Sequence, residues 1–316
     1  MRIKPIRRMV QLLFLPVAYA GFIVPATTHI IYPSIHCYAC PLSVYICPIG
    51  IFQNFVKMPS FPFYLLGWVF IYGMAAGRAI CGWLCPFGLF NDFLSPLNGI
   101  RHPNRILVKI LIAIFIVALF FSSYLLNPRA AVGIVAITML TLFILHDLHF
   151  VKYLLLSVTL VMALVFADTI FCKSCAVASI EASIPHLVLS LSGESEIRVR
   201  FVSLSFMVHI LTLALAVGGV VIEKRFWCRY ICPMGAVLAL FNRVSLVTIR
   251  HDRGRCDSKE KRCSAECIKI CPMGVTGIGK RRFIDSGDCI RCGACVDVCP
   301  NRELRLTVFR FGEQGL

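Results

Sequence analysis

Negative charge is scarce in this chain. Sixteen Asp and Glu stand against 32 Lys and Arg, and charged residues of either sign make up 15% of its 316 positions. So few charges exclude an ordinary soluble domain. Hydrophobic residues reach 58% and the mean hydropathy is +0.80, more apolar surface than a fold of this length hides from water. A glycine-rich phosphate loop is also missing. Gly277-x-Gly279-Lys280 lacks the preceding strand and the spacing. No flavin or nicotinamide site is therefore expected, and the chain reads as a subunit that is not catalytic alone. No signalling domain is visible either, which argues against a redox sensor. The formal charge of +16 would suggest nucleic acid in a soluble protein. In an apolar chain it reads as the cytoplasmic excess of Lys and Arg, so no nucleic-acid partner is expected.

What is abundant is apolar sequence in long runs. A helix that spans a bilayer needs about 17 to 25 apolar residues. Six stretches are candidates: 9–31, 61–76, 106–126, 130–145, 153–171 and 201–222, the second and fourth of them short. Arg2, Lys4, Arg7 and Arg8 precede the first, and Ala18-Tyr19-Ala20 resembles a cleavage site; the expectation is a retained first helix. Basic residues then place both termini in the cytoplasm, with 78–109, 146–152 and everything after 223 on that side. From about residue 244 the apolar runs stop and charges crowd in. The expected fold is an all-α integral membrane domain of six transmembrane helices over 1–243. A small α+β two-cluster ferredoxin-like domain follows over 244–316. The expected location is a bacterial or archaeal cytoplasmic membrane.

Cysteine is the second abundance, with 17 residues. The odd count and the spacing argue against a secreted disulfide framework and for metal ligands. The tail reads "CIRCGACVDVCP", with Cys289, Cys292, Cys295 and Cys299 followed by Pro300. This is the Cys-x2-Cys-x2-Cys-x3-Cys-Pro run of [4Fe–4S] binding, in which the fourth Cys serves a neighbouring cluster. The upstream "CDSKEKRCSAECIKICP" supplies Cys256, Cys263, Cys267 and Cys271 at an expanded spacing. The expected partition is Cys289, Cys292, Cys295 and Cys271 on one cluster. Cys256, Cys263, Cys267 and Cys299 form the other; alternatively Cys256 is a bystander and the second site is incomplete.

Two further stretches repeat one device. "AICGWLCPFG" carries Cys81 and Cys85, and "FWCRYICPMG" carries Cys228 and Cys232. Thiols four positions apart share a helical face, and the Pro after each pair opens a helix. Facing pairs make one tetrathiolate set at the inner interface. Toward the other face lie Cys37, Cys40 and Cys47, and then Cys172 and Cys175. Cys37 and Cys40 with Cys172 and Cys175 make a fourth set, with Cys47 a competing ligand through its own Cys-Pro-x-Gly. The rival reading is an outer disulfide.

The two Cys-x3-Cys-Pro motifs and the double ferredoxin tail resemble the membrane polyferredoxins of the NapH/NosR type, and copper-reducing oxidase-assembly polyferredoxins are similar. That resemblance implies an electron-transfer subunit linked to the quinone pool and to an extracytoplasmic electron carrier or cytochrome. It also implies other subunits of a membrane redox complex. Electrons would pass between the tail clusters, the inner cluster and the outer one. Haem b or quinone is a further cofactor expectation, with His29, His36, His146, Asp147, His149 and His209 as candidate ligands. Asp168 is a candidate functional carboxylate within a span. A different class stays open: an assembly factor that reduces a metal or a thiol, with the outer cysteines exchangeable or holding Cu(I).

Overall fold

The computed structural model describes residues 3–18, 30–31, 37, 45–55, 62–97, 107–114, 116, 148–166, 169, 171–191, 204–251, 266–275, 278 and 283–308. Helix α1 (Ile3–Ala18) is followed by two short strands, β1 (Ile30–Ile31) and β2 (Tyr45–Ile46), paired in parallel. Helices α2 (Pro48–Phe55), α3 (Phe63–Ala76), α4 (Ala79–Trp83) and α5 (Pro86–Leu94) come next. Then follow α6 (Val151–Phe166), a π-helical turn at Ser179–Ser183, α7 (Ile184–Leu191) and α8 (Leu204–Ile222). A second π-helical turn, Trp227–Ile231, leads into α9 (Pro233–Phe241). The tail contributes the antiparallel pair β3 (Thr248–His251) and β4 (Leu304–Thr307), in register Thr248 to Thr307. Single-turn helices lie at Glu266–Lys269 and Ala294–Asp297.

The structure does not support six transmembrane helices. Among the described residues, no helix is long and apolar enough to cross a membrane. The first apolar run yields a helix that ends at Ala18, and the strand β1 occupies its expected far end. The second yields 14 residues, short of the ~20 a span needs. It stops because Gly77 turns left-handed, with φ +53°, a conformation open to glycine and one that breaks the hydrogen-bond ladder. The run 130–145 lies outside the described residues. Apolar content registered in the sequence, but helix breaks inside the runs did not. The expected all-α character of the first domain also gives way to the β1–β2 pair.

The tail is not a loosely tethered appendage. Asp297 accepts hydrogen bonds from the Ile3 and Lys4 backbone N–H groups, at 2.6 and 2.8 Å. The first turn of a helix has N–H groups without intrahelical partners, and here the far end of the chain supplies the acceptor. Its negative charge also suits the helix N-terminus. Asn242, fully buried, is the central tie. Its Oδ1 accepts from the Arg78 N–H at 2.9 Å, and its Nδ2 donates to the Ser286 and Cys289 carbonyls at 2.8 and 2.9 Å. Its own carbonyl accepts from Arg291 Nη2 at 2.7 Å. Asn242→Ala leaves three buried backbone groups without this partner. A buried orphan costs about 1–3 kcal/mol, so denaturant melts are expected to show at least that loss. An unchanged midpoint would show that Asn242 does not hold the tail in place.

Candidate metal centre

Four of the tail thiols converge. Cys271, Cys289, Cys292 and Cys295 line one apolar cavity with Ile249, Met273 and Ile284. Burial pushes the Cys289 thiol up to about 12, and the neighbouring Cys292 and Cys271 add to the rise. Cys295 is also raised, by burial and then by Cys289, Cys292, Cys271 and Cys267. The Cys271 sulfur accepts from the Val275 N–H at 3.4 Å. Cys299 packs beside this core. Cys256 and Cys263 lie outside the described residues.

The two Cys-x3-Cys-Pro motifs come together as a second set. Cys81, Cys85, Cys228 and Cys232 are all buried. Burial lifts Cys228 to about 11, with Arg225 opposing the rise and Cys81 adding to it. Cys232 feels Cys228, Cys81 and Cys85. The repeated Pro and Gly now have a local reason. Cys85 and Cys232 are the N-cap residues of α5 and α9, each with extended backbone and Pro at the first helical position. Each sulfur accepts from the N–H of the Gly three positions on, at 3.3 and 3.2 Å. The motif therefore aims a helix N-terminus at a sulfur, an arrangement that favours the thiolate.

A third set joins Cys37, Cys47, Cys172 and Cys175. The charges of Cys47, Cys175 and Cys37 all bear on Cys172. Burial pushes Cys175 up to about 12. The Cys37 N–H donates to the buried Glu181 carboxylate at 2.6 Å. Cys40, expected here, lies outside the described residues, and Cys47 stands in the fourth place. None of the fourteen described cysteines forms a disulfide.

Reading loop charges off the sequence missed the residues that surround these thiols. Arg78 and Arg225 each stand three positions before the first Cys of their motif, and both are fully buried. They act reciprocally. Arg78 Nη2 donates to the Cys228 carbonyl, and Arg225 Nη1 donates to the Cys81 carbonyl at 3.2 Å. Arg225 also grips Asp92 with two bonds, at 2.9 and 2.5 Å, while Arg7 reaches the same carboxylate at 2.9 Å. Arg78 is paired with Asp288 at 3.2 Å. Asp288 in turn holds Lys152, and His149 at 2.9 Å. Burial pushes the Asp288 carboxyl up, but His149, Lys152 and Arg78 together pull it well below the carboxylate range. Burial and Arg78 bring Lys152 down to about 8. The signal for the arginines was present in both copies as Arg-x2-Cys-x3-Cys-Pro-x-Gly. The acids that pair them were visible only in three dimensions.

The two described haem and quinone candidates, His149 and His209, have separate partners. His149 bonds to Asp288, and His209 Nδ1 meets Ser183 Oγ at 2.7 Å. His29, His36, His146, Asp147 and Asp168 lie outside the described residues. Among the described residues, no three His, Cys, Asp or Glu side chains converge on a single metal ion. That is the arrangement of a mononuclear zinc site; thiolates that each hold a different iron of one cube are spaced wider. The donor sets fit [4Fe–4S] groups. Each described set holds four thiols, N–H donors reach the sulfurs of Cys85, Cys232 and Cys271, and buried cations stand behind the inner set. Such a group adds net negative charge, which those cations offset.

Comparison with known proteins points the same way. A family model described as a 4Fe-4S binding domain matches residues 44–62, 58–104 and 201–252, which carry Cys47 and the four inner cysteines. A 4Fe-4S dicluster domain model matches 260–304, the tail. An uncharacterized protein of Methanocaldococcus jannaschii is 31% identical over 39% of this chain and 45% of its own. The ferredoxin-type protein NapH of Haemophilus influenzae is 30% identical over 33% of this chain and 37% of its own. The putative electron transport protein YccM of Escherichia coli is 25% identical over 71% of this chain and 49% of its own. The matched stretches span less than half the length of each of these relatives. No solved structure matches the chain.

Proposed function

We propose that this chain, a NapH-like polyferredoxin, is an electron-transfer subunit that relays electrons between its tail clusters and an extracytoplasmic partner in a membrane redox complex. The observation that carries the reading is the convergence of buried and half-buried cysteines from distant parts of the chain into separate sets of four. Cys271 joins the Cys289 run, Cys81 and Cys85 join Cys228 and Cys232, and Cys37 and Cys47 join Cys172 and Cys175. The remaining tail cysteines, Cys256, Cys263, Cys267 and Cys299, make the fourth set. A [4Fe–4S] group in each supplies a one-electron centre whose potential follows charge, hydrogen bonds and burial. The chain's own residues do the rest. Their thiols anchor the irons, the Gly88 and Gly235 N–H groups touch sulfur, and the buried guanidinium groups offset charge.

Membrane association is supported by the apolar outer faces of α1 and α3. Leu13, Phe63, Phe70 and Ile71 are more than half exposed, and such patches mark membrane or protein contacts. The reading as a thiol or metal reductase is less well supported. Burial raises Cys172 and Cys175, and a protonated thiol is a poor nucleophile.

Iron and acid-labile sulfide analysis of the full chain, purified without oxygen, tests the proposal. Four cubes predict about sixteen irons per chain. A chain that binds no iron while its thiols react freely with alkylating reagent would end it.

A further inference from the structure

The inner and tail ligand loops touch at one point. Gly82 lies between Cys81 and Cys85, and Ile290 lies between Cys289 and Cys292. Both are buried. A Cβ added at Gly82 would drive into the Ile290 carbonyl oxygen, which is backbone and has no rotamer to yield. Only glycine permits this approach. The neighbouring residues repeat the contact, since Trp83 Nε1 donates to the Arg291 carbonyl at 3.0 Å.

Both sides of the contact are fixed in place. The Gly82 carbonyl accepts from Gln11 Nε2 at 3.0 Å and from Arg7 Nη1 at 3.3 Å, so α1 holds the loop from behind. Arg291, fully buried and left-handed with φ +50°, donates to the Ala76 carbonyl at 2.8 Å and the Asn242 carbonyl at 2.7 Å. A non-glycine residue in that conformation carries strain, and its hydrogen bonds keep it there. Two loops, each closed by cysteines, are thus pressed together backbone to backbone with no side chain between them.

We infer that the Gly82–Ile290 contact, braced by Trp83 and Arg291, is the path by which electrons pass between the tail set and the inner set. This rests on the iron–sulfur reading and names the route within it. Each passage moves one electron. With clusters bound, one centre would be oxidised by one equivalent and the other reduced by one, with no bond made or broken. Gly82 is a positioning residue: it touches no iron, and its missing side chain sets the separation of the two ligand loops.

The test uses the full chain reduced with dithionite, with spin–spin coupling between clusters read by electron paramagnetic resonance. Beside the coupling between the two tail centres, the wild-type chain is expected to show a further coupling component that disappears when Cys228→Ala removes the inner centre. Gly82→Ala is expected to keep its iron and lose or weaken that coupling, because the added methyl group pushes the loops apart. Trp83→Phe, which deletes one hydrogen bond and adds no bulk, is expected to weaken it less. A coupling pattern left wholly unchanged by Cys228→Ala, or the full inner-to-tail component in iron-replete Gly82→Ala, overturns the inference. If Gly82→Ala loses iron, Trp83→Phe decides, and coupling unchanged there overturns it. Failure of the iron–sulfur reading looks different, because the wild-type chain itself would then hold no iron.

Discussion

A Cys228→Ala chain is expected to retain about four irons fewer than the wild type, one cube's worth, and to be markedly less stable. The stability loss follows from charge. Arg78 and Arg225 sit fully buried beside the inner thiols, and Lys152 is buried behind Arg78. Burial pushes Cys228 up to about 11 and Cys232 well above its ordinary value, so without metal these sulfurs carry protons and no charge at neutral pH. The cations would then lose the negative group they face. Metal binding at such a site is folding free energy. The decisive measurement is iron per chain alongside a thermal melt in the absence of oxygen. A Cys228→Ala chain with the wild-type iron count would show that the two Cys-x3-Cys-Pro motifs do not share a centre.

The second large effect belongs to Asp92→Ala. This carboxylate accepts two bonds from Arg225 and one from Arg7, and both arginines are buried. Removing one side of a buried pair costs about 3–5 kcal/mol, because the charge left behind has neither water nor partner. Arg225 keeps its bonds to the Cys81 and Gly88 carbonyls, but those are neutral acceptors. The same pair predicts a pH dependence. Burial pushes the Asp92 carboxyl up, while Arg225 and then Arg7 pull it down further, so the net folded value is below the ordinary one. A depressed carboxylate contributes stability above its unfolded pKa of about 3.9 and loses it as pH falls through the folded value. Denaturant midpoints should therefore fall on acidification from pH 5, and the fall should be shallower in Asp92→Ala. Equal slopes in the two chains would rule out Asp92 as a source of the acid sensitivity.

Both effects turn on polar groups that the apolar character of the chain conceals. The sequence displays 32 basic residues, and the distribution of those charges reads as membrane topology. The structure gives several of them a different task. Arg78, Arg225 and Arg291 lie at the thiol sets, with carbonyls and acids fixed around them. Charge asymmetry along a chain reports where loops fall, but it is blind to an arginine that folds inward to meet a charge brought from 200 residues away.

Cysteine spacing is local chemistry, and local chemistry survives into the fold. The grouping of Cys289, Cys292 and Cys295 with Cys271, which Pro272 follows, could be read from spacing because ligands to one cube must be spaced by the cube. The matched Cys-Pro-x-Gly steps were legible because a helix N-cap is written in adjacent residues. The long apolar runs announced low polarity and suggested spans. Whether a run stays one helix is a separate matter: the run 9–31 holds helix α1 to Ala18 and strand β1 at Ile30–Ile31, a change the apolar count does not register. Tertiary structure alone decided which acid meets which buried arginine and that Cys47 stands with Cys37. It also decided that Gly82 meets Ile290, since contacts between residues so far apart in the chain are set by how whole elements pack.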